Sequence, residues 1–441
     1  MSPVGTYEGD REASDVYMSI LSPVGYKSSS HCGYCGSEDG KNCSRSYGIW
    51  AHTLSPWLYQ DLCDRGWRRS GSYVYKPDMA RTCCLQYTIR LDVGAFTPTK
   101  SQRQILKRFN SFVRRGGKEG SKGFGPRDFA ARPVAKQPPM SKDKQKVNPF
   151  NFVDTIHAAE TSGQDGLAHE FTVTTELASF TEEKFELYNR YQISVHDDDE
   201  RSPQGFKRFL CDTPIRPCAS GHSQQQYGSY HQLYRLDEKL IGLAVLDVLP
   251  RSVSSVYFIW DPDFAGLSLG KVSALREIAW VRQLRAAGML HCQYYYMGYY
   301  IHTCPKMRYK ADYEPSSLLD PSTLNWYHYT HCRSILDRDP RAVTFEDQAT
   351  ASLSRSAGID VDSDDEEDMP SDPVPPGMLS RSEALHHLPD LVVFDGGRGK
   401  VHRPFAIGGK AHPSTSEATD LLQSLGPKFA IDRICALLSS A

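Results

Sequence analysis

Two pairs of thiols bracket one short segment: Cys32 and Cys35 at its start, Cys83 and Cys84 at its end. Four thiolates can close a tetrahedral zinc site or hold the corners of an iron–sulfur cluster. A lone Cys-x-x-Cys is a weak signal, and a second pair in the same segment strengthens it. Cys43 and Cys63 lie between the pairs and His52 offers an imidazole, so residue type alone leaves both the ligand set and the metal open. The intervening text is aromatic and basic, with Ser46-Tyr-Gly-Ile-Trp-Ala-His52 and Arg65-Gly-Trp-Arg-Arg-Ser-Gly71. A closed metal site would pin such a small, polar region. Twelve cysteines in 441 residues read as metal ligands or reactive thiols before disulfides.

Two further segments carry chemistry. Tyr257-Phe-Ile-Trp-Asp-Pro-Asp263, followed by Leu267-Ser-Leu-Gly-Lys271, leads from strand through loop into helix. A helix start presents free N–H groups and a positive dipole end, which suit a phosphate or a polarised carbonyl oxygen. Many such turns bind nothing. The run from Tyr294 to Lys310 sets tyrosines beside Lys306, Arg308 and Lys310. Rings beside cations can stack bases and hold phosphates of single-stranded RNA. The tyrosines themselves read mainly as a strand packed on a sheet, ended by Pro305, which leaves the three cations as the functional end.

These segments need a frame to position them. Net charge is −2, yet residues 1–150 carry 24 Lys and Arg against 13 Asp and Glu, and the rest carry 27 against 40. A basic first part attracts a polyanion such as RNA, or is a solvated linker. No apolar run approaches the ~20 residues of a membrane span. The polar, acidic start lacks the features of a secretory signal. The expected organisation is a mobile stretch over 1–30, a Cys-rich metal-binding module over 31–115, and a flexible basic linker over 116–164. A mixed-sheet domain over 165–335, an acidic disordered linker over 336–387 and a C-terminal tail over 388–441 follow. The tail has enough apolar content to pack back onto the body. Within the large domain, strands are expected from Phe171, Tyr230, Lys239, Val253 and Tyr294, with a hairpin turn at Asp237-Glu238. Helices are expected after Thr181 and over 270–284. Phe185, Tyr188, Tyr191 and Val195 share one face of the first helix. The fold class is α+β.

Taken together, these blocks resemble the eukaryotic arginyl-tRNA–protein transferase family. The likeness rests on Cys32-Gly-Tyr-Cys35, Tyr47-Gly-Ile-Trp-Ala-His52, Asp64-Arg-Gly-Trp-Arg-Arg-Ser-Gly71, Tyr75-Lys-Pro77 and Thr82-Cys-Cys84. It continues through Gly228-Ser-Tyr-His-Gln232, Leu267-Ser-Leu-Gly270, Ala274-Leu-Arg-Glu-Ile278 and Tyr295 to Lys310. The resemblance implies an enzyme that moves arginine from arginyl-tRNA to the α-amino group of proteins beginning with Asp, Glu or oxidised Cys. The new arginine marks them for ubiquitin-dependent degradation. It implies an N-acetyltransferase-like (GNAT-like) second domain, and a [4Fe-4S] cluster or Zn2+ on Cys32, Cys35, Cys83 and Cys84, with Cys43 and Cys63 as bystanders. Its partners are arginyl-tRNA and acid-headed proteins, and its expected place is the cytoplasm, with the nucleus second.

For such a reaction, amide groups at Leu269, Gly270 and Lys271 are expected to serve an oxyanion or the tRNA 3′ end. His231 is the expected proton acceptor, with Asp261 second. Lys306, Arg308 and Lys310 are expected to bind the acceptor's acid or tRNA phosphates. Two other classes compete: a non-catalytic, metal-stabilised RNA-binding adaptor, and an acetyl-CoA-dependent acyltransferase. The latter usually carries a more glycine-rich loop than Leu267-Ser-Leu-Gly270.

Overall fold

Among the described residues, sixteen strands sort into two sheets. The structure, a computed structural model, describes residues 18–29, 31–36, 44–116, 150–160, 167–197, 202–221, 224–346, 374–395, 400–402, 415–426 and 434–438. The first strands are β1 (Ser19–Ser29), β2 (Ser44–Thr53), β3 (Arg68–Ser70), β4 (Tyr73–Pro77) and β5 (Tyr87–Asp92). Then come β6 (Phe171–Leu177), β7 (Cys218–Ala219), β8 (Gln226–Leu236), β9 (Lys239–Val248), β10 (Ser252–Trp260) and β11 (Tyr294–Tyr300). The last are β12 (Ser316–Leu319), β13 (Trp326–His328), β14 (Val392–Asp395), β15 (Lys400–His402) and β16 (Ile434–Leu438). The helices that matter below are α1 (Pro56–Cys63), α2 (Lys100–Arg115), α3 (Glu182–Tyr191), α4 (Leu269–Ala286), α5 (Arg381–His387) and α6 (Thr415–Leu425).

The smaller sheet has the order β15-β14-β16-β1-β2-β4-β3, and the larger runs β13-β12-β5-β11-β10-β9-β8-β6 with β7 against β8. Several expected boundaries part from this pairing. Ser19–Ser29 is a strand of the small sheet, held by β2, and not a mobile start. Tyr87–Asp92 leaves the Cys-rich module and pairs with β11 and β12 of the large sheet. Within the expected basic linker, Phe152 and Ile156 of a short helix are buried, and Asn110 donates to the Thr155 carbonyl. Within the expected acidic linker, Phe345 is fully buried. The C-terminal tail does pack back: β16 enters between β1 and β14, parallel to both, and α5 and α6 cover that sheet with Ala384, Leu421 and Leu425. The eight-carboxylate run 360–372 lies outside the described residues.

Local sequence explains the large sheet. The β8–β9 hairpin turns at Asp237 and Glu238, both at positive φ (47° and 70°), which matches the twist of the flanking strands. Thr181 caps α3 through the Lys184 amide as its spacing predicts, and Tyr188 and Tyr191 are buried. Val195 is exposed, because the chain widens into a π-type turn at Gln192 and leaves the helical face. α2 begins with a capping box of Thr99 and Gln102 and buries Leu106, Phe109, Phe112 and Val113 against the sheet.

The two sheets are joined by polar contacts out of water. Arg69 of β3 donates through Nε and Nη2 to both oxygens of Asp247 on β9, at 2.8 and 2.6 Å, and Ser229 adds a bond of 2.6 Å. Nearby, Asp64 accepts from Arg251 (2.6 Å) and from the Tyr296 hydroxyl. Removing one partner of a buried pair strands the other charge. Asp247→Ala is therefore expected to cost about 3–5 kcal/mol, and the double change Arg69→Met, Asp247→Leu to recover most of it. Denaturant midpoints of the three proteins check this.

Candidate active site and cysteine centre

Two turns bring the thiols together. Cys32 opens a turn closed by the Gly36 amide on its carbonyl (3.0 Å), and Cys83-Cys84 lies in the turn before β5. Arg341 pins the second turn by donating to the carbonyls of Cys83 (3.2 Å) and Thr82 (3.1 Å). The sulfurs of Cys32, Cys35, Cys83 and Cys84 all lie within 4.8 Å of one another. Such a set can hold a metal ion. Burial opposes the Cys32 thiolate, but the amides of Cys35 and Tyr34 outweigh it and lower its pKa. Burial and bonding to a neighbouring thiol push Cys84 up to about 12. Four adjacent thiols cannot all ionise without a cation, so the donor set fits a metal. Cys63, at full burial beside Arg68, lies apart from this group.

The centre packs onto the end of β11: Cys32 and Cys84 share a cluster with Ile301 and Cys304, and Cys83 and Met307 lie against it. There the large sheet opens. β10 and β11 pair in parallel only at Ser252–Tyr294, Val253–Tyr295 and Ser254–Tyr296. Beyond these, β10 follows β9 to Trp260 and β11 follows β5 to Tyr300, so the middle strands part. The parting begins over Glu277 of α4, a buried carboxylate whose pKa burial raises; the Tyr295 hydroxyl (2.6 Å), Ser273 and Ser255 all donate to it. A bulge follows on β11, where Gly298 (φ 69°) lets two residues face one of β5.

Each bank of the opening carries candidate groups. On the β10 side, α4 starts after Ser268, which stands at φ 57° and is held by Arg108 of α2 (2.8 Å). The Lys271 amide is spent on the Ser268 carbonyl (2.9 Å). The amides of Leu269 and Gly270 have no hydrogen bond among the described residues. On the β11 side, Lys310 donates to the Tyr299 carbonyl (2.8 Å), and burial, with Arg68 nearby, pushes its ammonium down to about 7. Lys306 and Arg308 are exposed.

Comparison with known proteins decides the family. A model described as "Arginine-tRNA-protein transferase, N terminus" matches residues 30–104, and its C-terminal counterpart matches 183–320. The chain is 33% identical to arginyl-tRNA–protein transferase 1 of Drosophila melanogaster over 426 residues, covering 74% of this chain and 87% of that one. It is 30% identical to arginyl-tRNA–protein transferase 2 of Arabidopsis thaliana, covering 77% and 80%. An aspartate/glutamate leucyltransferase of Pseudomonas savastanoi is 29% identical, covering 59% and 80%. Among solved structures, the C-terminal domain of a proposed lysylphosphatidylglycerol synthetase from Agrobacterium fabrum matches at 12% identity, covering 57% and 53%, with a TM-score of 0.23, too slight to bear on the fold. The chain belongs to the arginine-tRNA–protein transferase family.

The structure places His231, the expected proton acceptor, away from the opening. His231 is fully buried on β8; its Nε2 meets the Leu210 carbonyl (3.0 Å), and its Nδ1 accepts from the Ser179 amide (3.5 Å). Both nitrogens are spent on the fold, and the contacts lie on the α3 face of the sheet. Asp261 is gripped by Lys239 (2.8 Å) and Arg190 (3.1 Å), and it caps the Asp263 amide (3.1 Å). It braces the end of β10. Sequence reasoning missed Glu277 and Arg68. The first had a signal, an acid among the inward positions of α4. The second was hidden in a run of basic residues.

Burial drops the His231 pKa to about 4, against about 6.5 when unfolded. Between these values the unfolded chain binds the extra proton, so stability falls as pH is lowered from about 6.5 to 4 and levels below that. The loss is about 3 kcal/mol at 1.36 kcal/mol per unit. His231→Gln is expected to flatten this part of the acid-stability curve while leaving turnover within a few-fold. Denaturation from pH 7 to 4 and a transfer assay check it; a collapse in turnover of a folded variant would restore the catalytic role.

Proposed function

We propose that this transferase moves arginine from arginyl-tRNA to the α-amino group of proteins whose first residue is Asp or Glu. The observation that carries the reading is the parting of β10 and β11 between the free amides of α4 and the Lys310 amine, in a chain that matches both family segments. The donor ester is already activated, and the acceptor amine has a free pKa near ~8. Positioning therefore supplies much of the acceleration. The acceptor nitrogen attacks the ester carbon, and the oxyanion falls to the Leu269 and Gly270 amides. The nitrogen's proton passes to Lys310, the bond to the ribose oxygen breaks, and that oxygen takes the proton. Exposed Arg103, Lys107 and Arg108 on α2, with Lys306 and Arg308, suit tRNA phosphates.

For the cysteine centre we infer, from the spacing of its sulfurs, a single tetrahedral ion such as zinc rather than a cluster. Zinc–sulfur bonds of about 2.3 Å in a tetrahedron set the sulfurs about 3.8 Å apart. Cys35 and Cys83 lie at 3.8 Å. A [4Fe-4S] cube binds each thiolate to a different iron and spreads the sulfurs farther. Cys32, Cys35, Cys83 and Cys84 would hold such an ion, which would then steady the turn that carries residues 304–310 without touching the reacting groups.

Two experiments test these readings. Radiolabelled arginine from arginyl-tRNA is expected to pass to an Asp-headed peptide and not to an Ala-headed one; no transfer defeats the function. Metal analysis is expected to find one zinc per chain, lost in Cys84→Ser, whereas a visible iron–sulfur band would reject the single ion. A general base must be neutral, so kcat is expected to rise with pH and level above about 7, the value to which Lys310 is pushed. Lys310→Met should lower kcat about 10²-fold and abolish that inflection. An unchanged pH profile removes Lys310 from the mechanism.

A further inference from the structure

Neighbouring arginines on β3 meet different fates. Arg69 closes its Nε and Nη2 edge on the two oxygens of Asp247. Arg68 is just as buried, at 5% exposure. Its Nη1 donates to the carbonyls of Trp67 (2.6 Å) and Cys63 (3.2 Å), but its Nε and Nη2 have no hydrogen-bond partner among the described residues. The ionisable groups acting most on it are Cys63, Tyr299, Tyr59 and Tyr296, with no carboxylate among them. The guanidinium stands 5.2 Å from the Tyr296 ring centre and 5.4 Å from that of Tyr299. Ring faces offset part of the cost of desolvation, but they do not accept the in-plane N–H groups.

We propose that Arg68 selects the acceptor, its open Nε and Nη2 edge gripping the side-chain carboxylate of the N-terminal Asp or Glu through two bonds. This rests on the arginyltransferase reading above. The open edge is the one with which Arg69 already holds a carboxylate, so the geometry of the grip is on display one residue away. Nε and Nη2 are sealed from solvent in this conformation, so the carboxylate reaches them only as the surrounding side chains give way to the tip of an acceptor side chain. An RNA phosphate has chain on both sides and belongs on the exposed Lys306 and Arg308. Lys310 and Arg68 both lie against Tyr299, the first on its carbonyl at 2.8 Å and the second 5.4 Å from its ring centre. An Asp or Glu carboxylate and its own α-amino group are a few bonds apart, so the selecting cation and the proton acceptor have to be neighbours, as these two are.

The test uses the full-length enzyme with arginyl-tRNA and peptides that differ only in an Asp or Asn head. Wild type is measured first: without transfer to the Asp peptide the arginyltransferase reading itself fails, whatever Arg68 does. Given transfer, Arg68→Gln is expected to lower kcat/KM for the Asp peptide about 10²-fold or more while the Asn peptide changes little and KM for arginyl-tRNA holds. Arg68→Lys keeps a point charge and part of the preference. An intact Asp-over-Asn ratio in Arg68→Gln overturns the proposal, and so does a raised KM for arginyl-tRNA with that ratio intact, which would make the anion an RNA phosphate. Should both variants misfold, hydrogen exchange of wild type decides. Residues 66–72 are expected to exchange more slowly with the Asp peptide than with the Asn peptide, and equal exchange rejects the assignment.

Discussion

A two-bond contact between Arg69 and Asp247, at 1% and 0% side-chain exposure, joins the small sheet to the large one. Such a contact tolerates little displacement, because both N–H groups must stay in line with both oxygens while no water stands ready to replace them. Close approach adds to the constraint. A Cβ on Gly71, in the turn after β3, would come within 1.9 Å of the Arg208 carbonyl. Asp64, with Arg251 and Tyr296, fixes a second point. Cys32 and Cys35 follow β1 of the small sheet, Cys83 and Cys84 lie where the chain passes from β4 to β5, and the parted strands belong to the large sheet. Their relation is therefore set by this junction, and any chemistry between them inherits its rigidity.

The four clustered thiols bear on the opening through packing rather than contact. Cys32 and Cys84 pack on Ile301 and Cys304, at the point where the chain leaves β11. From there Lys306 and Arg308 point outward, while Lys310 turns back to the Tyr299 carbonyl. The thiols need a cation to coexist as thiolates, and the turn needs the thiols to stay where it is. Loss of the ion would thus unsettle the placement of the cations without any direct contact between metal and substrate.

Local signals were legible in the sequence where local forces decide. The hairpin at Asp237-Glu238, the cap at Thr181, the helix after Gly270 and the two thiol pairs all rest on residues near one another in the chain. Sheet membership was not legible, because a strand's pattern says which face is buried and not who its neighbour is. β5 reads as a continuation of the Cys-rich module yet pairs with β11, some two hundred residues on. β16 joins β1 across nearly the whole chain. The setting of His231 was hidden for a related reason. A histidine in a strand carries no mark of whether both nitrogens are spent, and here the Leu210 carbonyl and the Ser179 amide, remote in sequence, spend them.

The tyrosines of β11 are the packed strand that their sequence suggests. Rings beside cations suit stacked bases, but Tyr295, Tyr296, Tyr299 and Tyr300 are at most 3% exposed, so none offers a face to a base. Their hydroxyls matter instead. Tyr295 donates to Glu277 where the strands part, Tyr296 to Asp64, and Tyr299 to the Gly66 carbonyl at 2.8 Å. Each ties β11 to a different neighbour and holds the opening in shape. Attraction for a polyanion then falls to exposed cations, and α2 presents Arg103, Lys107 and Arg108 on its outer face. Arg108 reaches the Ser268 hydroxyl at the start of α4. The basic face of α2 therefore adjoins the free amides at the start of α4, and the positive potential of the one is continuous with the N–H groups of the other.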